Sequence, residues 1–149
     1  MTLRAITAAD AQLFADRLTA ESTNAGTPYP TKAVQILGAL SVGDIILIDT
    51  NAGGGFRPDR VAIWLHREPS EPDVIQLPHF WCPSTRVLEL FGKVCNLLQS
   101  RGFVWAEFSA EMPVGAQAKN ITGATLQPNG RYRVSLANAR AALTALGVP

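Results

Sequence analysis

The sequence predicts a single α+β domain in which helices and strands alternate along one chain. Three observations point there. Apolar spacing switches repeatedly between the helical and the strand period, in the order β-α-α-β-β-β-α-β-α-β-β-α. Glycine, proline and asparagine punctuate the chain at the switches, as at Gly43, Gly102, Gly123 and Pro128-Asn129-Gly130. The length of 149 residues, with 47% apolar and 17% charged residues, suits one domain with a sizeable core, residues 1–149.

Composition also narrows the function classes. The formal net charge is +1 and no run of Lys or Arg occurs, which argues against a nucleic-acid partner. No apolar stretch approaches a membrane span, and the N-terminal residues lack a signal-peptide core. Cys82 and Cys95 have no metal-ligand spacing and read as small buried apolar groups in a reducing compartment. No metal site is expected.

Leu3–Thr7 is a short strand, and a helix follows from Ala9 to about Ser22 with Leu13, Phe14, Ala15 and Leu18 at helical spacing. The stretch Asn24-Ala-Gly-Thr-Pro28 ends it. Thr31 can cap a second helix, Lys32–Leu40, whose apolar face is Val34, Ile36, Leu37 and Leu40. Asp44–Asp49 is a continuous apolar run, as expected of a strand covered on both faces, and Arg60–His66 is its antiparallel neighbour. The Gly53-Gly54-Gly55 triplet between them lacks the Lys-Ser/Thr and the helix of a phosphate loop, so it reads as a flexible hairpin connection. Val74–Cys82 is a third strand, and Pro78 within it demands an edge, a bulge or a splay because proline gives up a ladder donor.

The stretch Phe80–Phe103 organises the rest: a strand end, a Pro-Ser-Thr turn, one long amphipathic helix, an Arg101-Gly102 stop and a new strand. Val87, Leu90, Phe91, Val94, Leu97 and Leu98 form the helix's apolar stripe, with Glu89 and Lys93 as an i,i+4 pair outside it. A helix start directly after a strand can bind an anion, because its backbone N–H groups are unpaired and its dipole is positive there. Phe103–Phe108 is a strand, Val114–Thr122 a short helix closed by Gly123, and Ala124–Gln127 with Arg131–Leu136 a hairpin. Asn138–Leu146 is a terminal helix. Trp64, Trp81 and Trp105, on three strands, are expected to fill the core.

This order, and several motifs within it, resembles the GNAT family of N-acetyltransferases over nearly the whole chain. Leu3-Arg-Ala-Ile-Thr-Ala-Ala-Asp10 is similar to the family's hydrophobic-Arg-x-x-Thr-x-x-Asp opening. Cys82-Pro-Ser-Thr-Arg86 resembles the V-x-P-x-x-R that leads into the acetyl-CoA loop, and Ile121-Thr-Gly-Ala124 resembles the x-x-Gly-Phe after the last family helix. The resemblance implies a mixed, mostly antiparallel central sheet with a splayed parallel strand pair, flanked by helices. It also implies a cofactor loop over Arg86, Val87, Leu88, Glu89, Leu90 and Phe91. In the family's Arg/Gln-x-x-Gly-x-Gly/Ala loop, bare backbone approaches the coenzyme A pyrophosphate. Here Arg86 is kept, whereas Glu89 and Phe91 replace the two small residues. Glu89 adds a carboxylate that repels phosphate, and Phe91 adds a ring where backbone must come close.

The other family positions depart too. Lys119 stands where the family's acidic Tyr is found, and Met112 stands where an Asn is usual. If the chain is active, the base is Glu107, or comes from the third long strand, where Gln76 and His79 stand, and Tyr132 is the nearest substitute acid. His79 also reads as a packed side chain, Glu107 as the solvent side of a half-buried strand. In Arg131-Tyr-Arg133, alternation puts the arginines on one face and Tyr132 on the other.

The expectation is a domain that has lost acetyl transfer, needs no cofactor and binds other proteins. The stretch Asn120–Val134 is similar to a segment of GNAT-like proteins of tailed phages, which implies a virion or morphogenesis role with virion proteins as partners. The location is then the virion or host cytoplasm, or the cytoplasm if the chain is not viral. The alternative is an active N-acetyltransferase that moves an acetyl group from acetyl-CoA to an amine. A third reading is an inhibitor or host-interaction protein on the same scaffold.

Overall fold

A computed structural model describes residues 1–24, 30–53, 55, 62–109 and 115–149. The chain runs β1 (Leu3–Ala5), a 3-10 turn (Ala8–Asp10), α1 (Ala11–Asn24), α2 (Ala33–Ser41), β2 (Ile45–Asp49), β3 (Ala62–Arg67) and β4 (Val74–Trp81). A second 3-10 turn (Ser84–Arg86) leads into α3 (Val87–Ser100). Then come β5 (Trp105–Ser109), α4 (Gly115–Thr122), β6 (Thr125–Leu126), β7 (Arg131–Ser135) and α5 (Leu136–Ala145). The predicted order of elements is the observed one.

Seven strands form one sheet in the order β1-β2-β3-β4-β5-β7-β6. Every pairing is antiparallel except β4–β5, which is parallel because α3 carries the chain back across the sheet. Pro78 acts as a splay point. On one side, two β4 residues, Leu77 and Pro78, stand opposite the single β3 residue Leu65, so the ladder carries a bulge there. On the other side, pairing with β5 runs from Val74↔Trp105 to Leu77↔Phe108 and stops. Proline cannot donate to a neighbour, so the strands part at the residue that lacks the N–H.

Two cores lie on the two faces. α3, α4 and α5 cover one face through Leu90, Val94, Leu98, Ala118 and Leu143, packed on Ile63, Ile75, Ala106, Phe108 and Val134. α1 and α2 cover the other through Phe14, Ala15, Leu18 and Ile36, against Ile46, Ile48 and Ala62. β2 is therefore buried on both sides, as its unbroken apolar run requires. The second core takes no residue from β4, β5 or β7, so that half of the α1/α2 face is left to polar chemistry. Among the described residues, no helix is long and apolar enough to cross a membrane.

The opening motif has a clear physical role. The Arg4 guanidinium forks onto Asp10 (Nη1 to Oδ2 2.9 Å, Nη2 to Oδ1 3.2 Å), while the Thr7 N–H donates to the same carboxylate at 3.0 Å. Asp10 thus ties β1 to the start of α1, and the Arg4 hydrogen bond holds its carboxyl below the ordinary value. Pro128-Asn129-Gly130 makes the expected hairpin: Gly130 takes a left-handed φ of 80°, and Asn129 Oδ1 accepts the Arg131 N–H at 2.9 Å.

Several expectations need correction. Lys32, not Thr31, caps α2; its N–H donates to Gln35 Oε1 at 2.8 Å, and Thr31 is instead buried with its N–H on Thr19 Oγ1 at 2.9 Å. Val34 and Leu37 are exposed, because α2 meets the core along the narrower line of Ile36. Glu89 bonds Arg86 rather than Lys93. Trp105 lies on the polar half of the sheet and is partly exposed, while Trp64 is half-buried with its Nε1 on Asp44 Oδ2 at 2.8 Å. The Trp81 side chain falls outside the described atoms. In the glycine triplet, the Asn51 side chain accepts the N–H groups of Gly53 (3.0 Å) and Gly55 (2.8 Å), so the described part is an organised turn. Residues 25–29, 60–61 and 110–114, including Met112 and Pro113, lie outside the described residues.

Candidate functional site

The opening between β4 and β5 carries different chemistry on its two sides. On the polar face, register places Gln76 beside Glu107 across the parallel pair, and Arg133 beside Glu107 across the antiparallel one. Side chains of paired residues share a face, so the three converge. Glu107 is 1% exposed, which overturns the reading of it as a solvent-side residue. Arg133 Nε donates to Glu107 Oε2 at 3.1 Å and its Nη2 to Glu71 Oε2 at 2.9 Å. Glu107 Oε1, also buried, has no hydrogen-bond partner among the described residues. A pocket of about 440 Å³ lies here, walled by Gln76, Pro78, Glu107, Ser109, Asn129 and Arg131 among others.

A buried carboxylate oxygen without a donor costs about 1–3 kcal/mol or more, so its position calls for an explanation. Its chemistry is specific. It can accept a proton or an N–H, and Arg133 on the other oxygen fixes its direction.

His79, beyond the bulge, packs its ring on Trp64 at 5.3 Å between centroids. Burial pushes its imidazole below the ordinary value. It stands on the β3 side of β4, whereas Glu107 lies across the β5 ladder, so His79 acts as a packed ring at the edge of the site. Tyr132 lies on the opposite face of the sheet from Glu107, as alternation requires. Its ring contacts Phe108 at 5.8 Å, and the Lys119 ammonium sits 5.6 Å from its centroid. The lysine at the family's acid position and the tyrosine offered as its substitute are thus neighbours.

Also on that second face, an apolar cavity of about 70 Å³ runs from the opening towards α3, α4 and α5, lined by Leu77, Phe80, Phe91, Phe108 and Ala118 among others. Phe91 points here and stacks on Phe80 (5.4 Å, 20°). Its ring belongs to the apolar stripe facing the sheet, half-buried, and not to the outer side of the helix start.

At the helix start, Pro83 leads a 3-10 turn and Arg86 occupies the N-cap of α3. Arg86 Nε donates to Glu89 Oε2 at 2.8 Å, and the Met1 nitrogen is 3.2 Å from Glu89 Oε1. The Arg86 bond holds the Glu89 carboxyl down to about 2, so it stays ionised and the Arg86 charge stays matched. A pyrophosphate arriving here meets an ion pair instead of a free cation and bare glycine backbone. Val87, Leu88 and Leu90 complete this first turn, with Val87 and Leu90 buried and Leu88 partly exposed.

Sequence reasoning singled out Glu107, Gln76, His79 and Tyr132 but missed Arg131, Arg133 and Glu71 as site residues. Strand alternation puts Arg131 and Arg133 on one face of β7, but only the long-range β5–β7 register joins that face to Glu107.

No protein-family model matches the sequence, and no curated protein matches it. Solved structures do. An acetyltransferase of the GNAT family from Staphylococcus aureus Mu50 is 11% identical, covers 91% of this chain and 98% of its own, and superposes with a TM-score of 0.66. A spermidine N-acetyltransferase from Vibrio cholerae, solved with CoA and spermine, is 10% identical over 93% of this chain and 96% of its own (TM-score 0.67). A phosphinothricin acetyltransferase from Sinorhizobium meliloti, solved with acetyl-CoA, is 13% identical over 90% and 86% (TM-score 0.65). The chain has the GNAT fold, with its mixed sheet and parallel β4–β5 pair.

Proposed function

We propose that this domain transfers an acyl group from an activated donor to an amine, with Glu107 as the proton acceptor. The observation that carries the reading is the buried, half-unpaired Glu107 carboxylate on the wall of a polar pocket, at the point where β4 and β5 part. An amine attacks through a lone pair, so an ammonium must first lose a proton, and a fixed carboxylate can take it. Arg133 holds Glu107 in place and Gln76 flanks it. GNAT-fold structures solved with CoA or acetyl-CoA support acetyl-CoA as the donor class, which would supply a thioester. The helix start does not fit a pyrophosphate as it stands, since Glu89 neutralises Arg86, and no step is assigned there.

The Arg86–Glu89 pair favours a second reading, a GNAT-fold domain that no longer binds cofactor and works by contacting other proteins. The phage virion expectation rests on residues 120–134 alone. Calorimetry with coenzyme A and acetyl-CoA, followed by mass spectrometry of an amine panel, separates the two. Acyl transfer predicts saturable cofactor binding, tightened in Glu89→Gly, and acetylated product that falls roughly 10²–10⁴-fold in Glu107→Gln. Absence of binding at millimolar cofactor by both wild type and Glu89→Gly would discard acyl transfer from coenzyme A in favour of the second reading.

A further inference from the structure

We propose that the pocket at Glu107 selects a small amine that also carries a carboxylate, an α-amino acid in chemical class, and that Arg131 reads the carboxylate. The inference rests on the reading of this pocket as the acceptor site. Two groups of opposite demand face the same space. Glu107 Oε1 is a buried acceptor with no donor among the described residues, suited to an ammonium. Arg131 lines the same pocket, and its guanidinium has no ion-pair partner among the described residues.

Register sets their separation. Ser109 pairs with Arg131 and Glu107 with Arg133, so Glu107 and Arg131 are diagonal neighbours on one face. Diagonal neighbours in an antiparallel pair lie about 7–8 Å apart. With the two side chains rooted that close on one face, a ligand that meets both is a compact zwitterion rather than a long chain. Arg133 cannot serve as the carboxylate reader, because it is already shared between Glu107 and Glu71. Gln76 adds an amide without a side-chain partner among the described residues, and Leu77, Pro78 and Phe108 give an apolar wall for the remainder of the molecule. A polyamine would place a second cation against Arg131, which electrostatics opposes. The pocket thus differs in chemistry from one built for spermidine.

The test is equilibrium binding by calorimetry to wild-type protein, without donor, using the L-α-amino acids, their methyl esters and spermidine. At least one amino acid should bind saturably, and roughly tenfold or more tightly than its own ester, since the ester loses a charge-assisted bond. Arg131→Gln should bring the acid down to the level of the ester while leaving the ester unchanged. Glu107→Gln should weaken both. Tighter binding of spermidine, an unchanged acid-to-ester ratio in Arg131→Gln, or no saturable amino acid would overturn the proposal. Acetylation of spermidine without amino-acid binding sinks this inference and keeps acyl transfer. Amino-acid binding without cofactor binding does the reverse.

Discussion

Replacing Glu107 separates a structural from a functional role by sign. In Glu107→Met the side chain keeps similar length and fills the same 1%-exposed position. The substitution removes an oxygen that has no donor, a desolvation cost of about 1–3 kcal/mol. It also removes the Arg133 Nε contact, but Arg133 is 26% exposed in its side chain and retains Glu71, so it is not left buried and alone. Breaking a partly exposed pair whose cation keeps another partner costs roughly 1 kcal/mol or less. The balance is neutral to stabilising by up to about 3 kcal/mol, which for a domain near this size raises Tm by as much as ~6–12 °C. Acyl transfer should meanwhile fall roughly 10²–10⁴-fold, as for loss of a general base. Calorimetric Tm and initial rates of amine acetylation measure the two quantities. A loss of more than about 2 kcal/mol, or a variant with full turnover, would refute the reasoning and make Glu107 a structural anchor of the β5–β7 ladder.

Two further outcomes follow from the geometry. His66 is clamped between Asp44 Oδ1 (2.6 Å) and Glu68 Oε1 (2.9 Å); burial opposes its charge, but the bonds from Glu68 and Asp44 outweigh it and raise the imidazole above 6.5. A raised folded value means the stabilisation is complete below pH 6.5 and is lost as pH rises through the folded value, so Tm should decline on the alkaline side and His66→Gln should flatten that decline. At Gly92 an added Cβ would lie 2.7 Å from Val148 Cγ1 and 2.9 Å from the Pro149 carbonyl oxygen. Gly92→Ala should therefore cost about 1–3 kcal/mol, or release residues 148–149 from α3, seen as faster exchange of the Val148 N–H, which donates to the Leu143 carbonyl at 3.0 Å, with an unchanged Tm.

Much of the fold was legible because it follows from local rules. The two periods named every element, and the glycine and proline punctuation placed their ends. Pro78 signalled an edge, a bulge or a splay because a missing N–H is a local fact, and the fold shows a bulge towards β3 and a parting from β5. What escaped were properties set by neighbours far along the chain. Nothing within Ala-Glu-Phe says that position 107 is sealed; the seal comes from strands β4 and β7 on either side. Val34 and Leu37 were read as core because periodicity gives a stripe but not its width. Phe91 had two readings, a stripe residue by periodicity and a cofactor-loop position by family resemblance, and its ring follows the stripe and stacks on Phe80. In the GNAT comparison the order of elements carried more information than any single motif.

The two ends of the candidate site differ in a way that bears on whether the fold still catalyses. The helix start has a matched Arg86–Glu89 pair, a solvated contact that costs the domain little and that would suit a scaffold kept only for docking. Glu107 is the opposite case. A β-branched or aromatic residue at that strand position would fill the space without stranding a carboxylate oxygen, and would stabilise the sheet. A domain used only for its outer surface gains nothing from a costly buried group on the wall of a pocket. A donor brought by a ligand at the pocket that Glu107 lines would recover that cost. The acceptor side therefore argues for chemistry more strongly than the donor side argues against it.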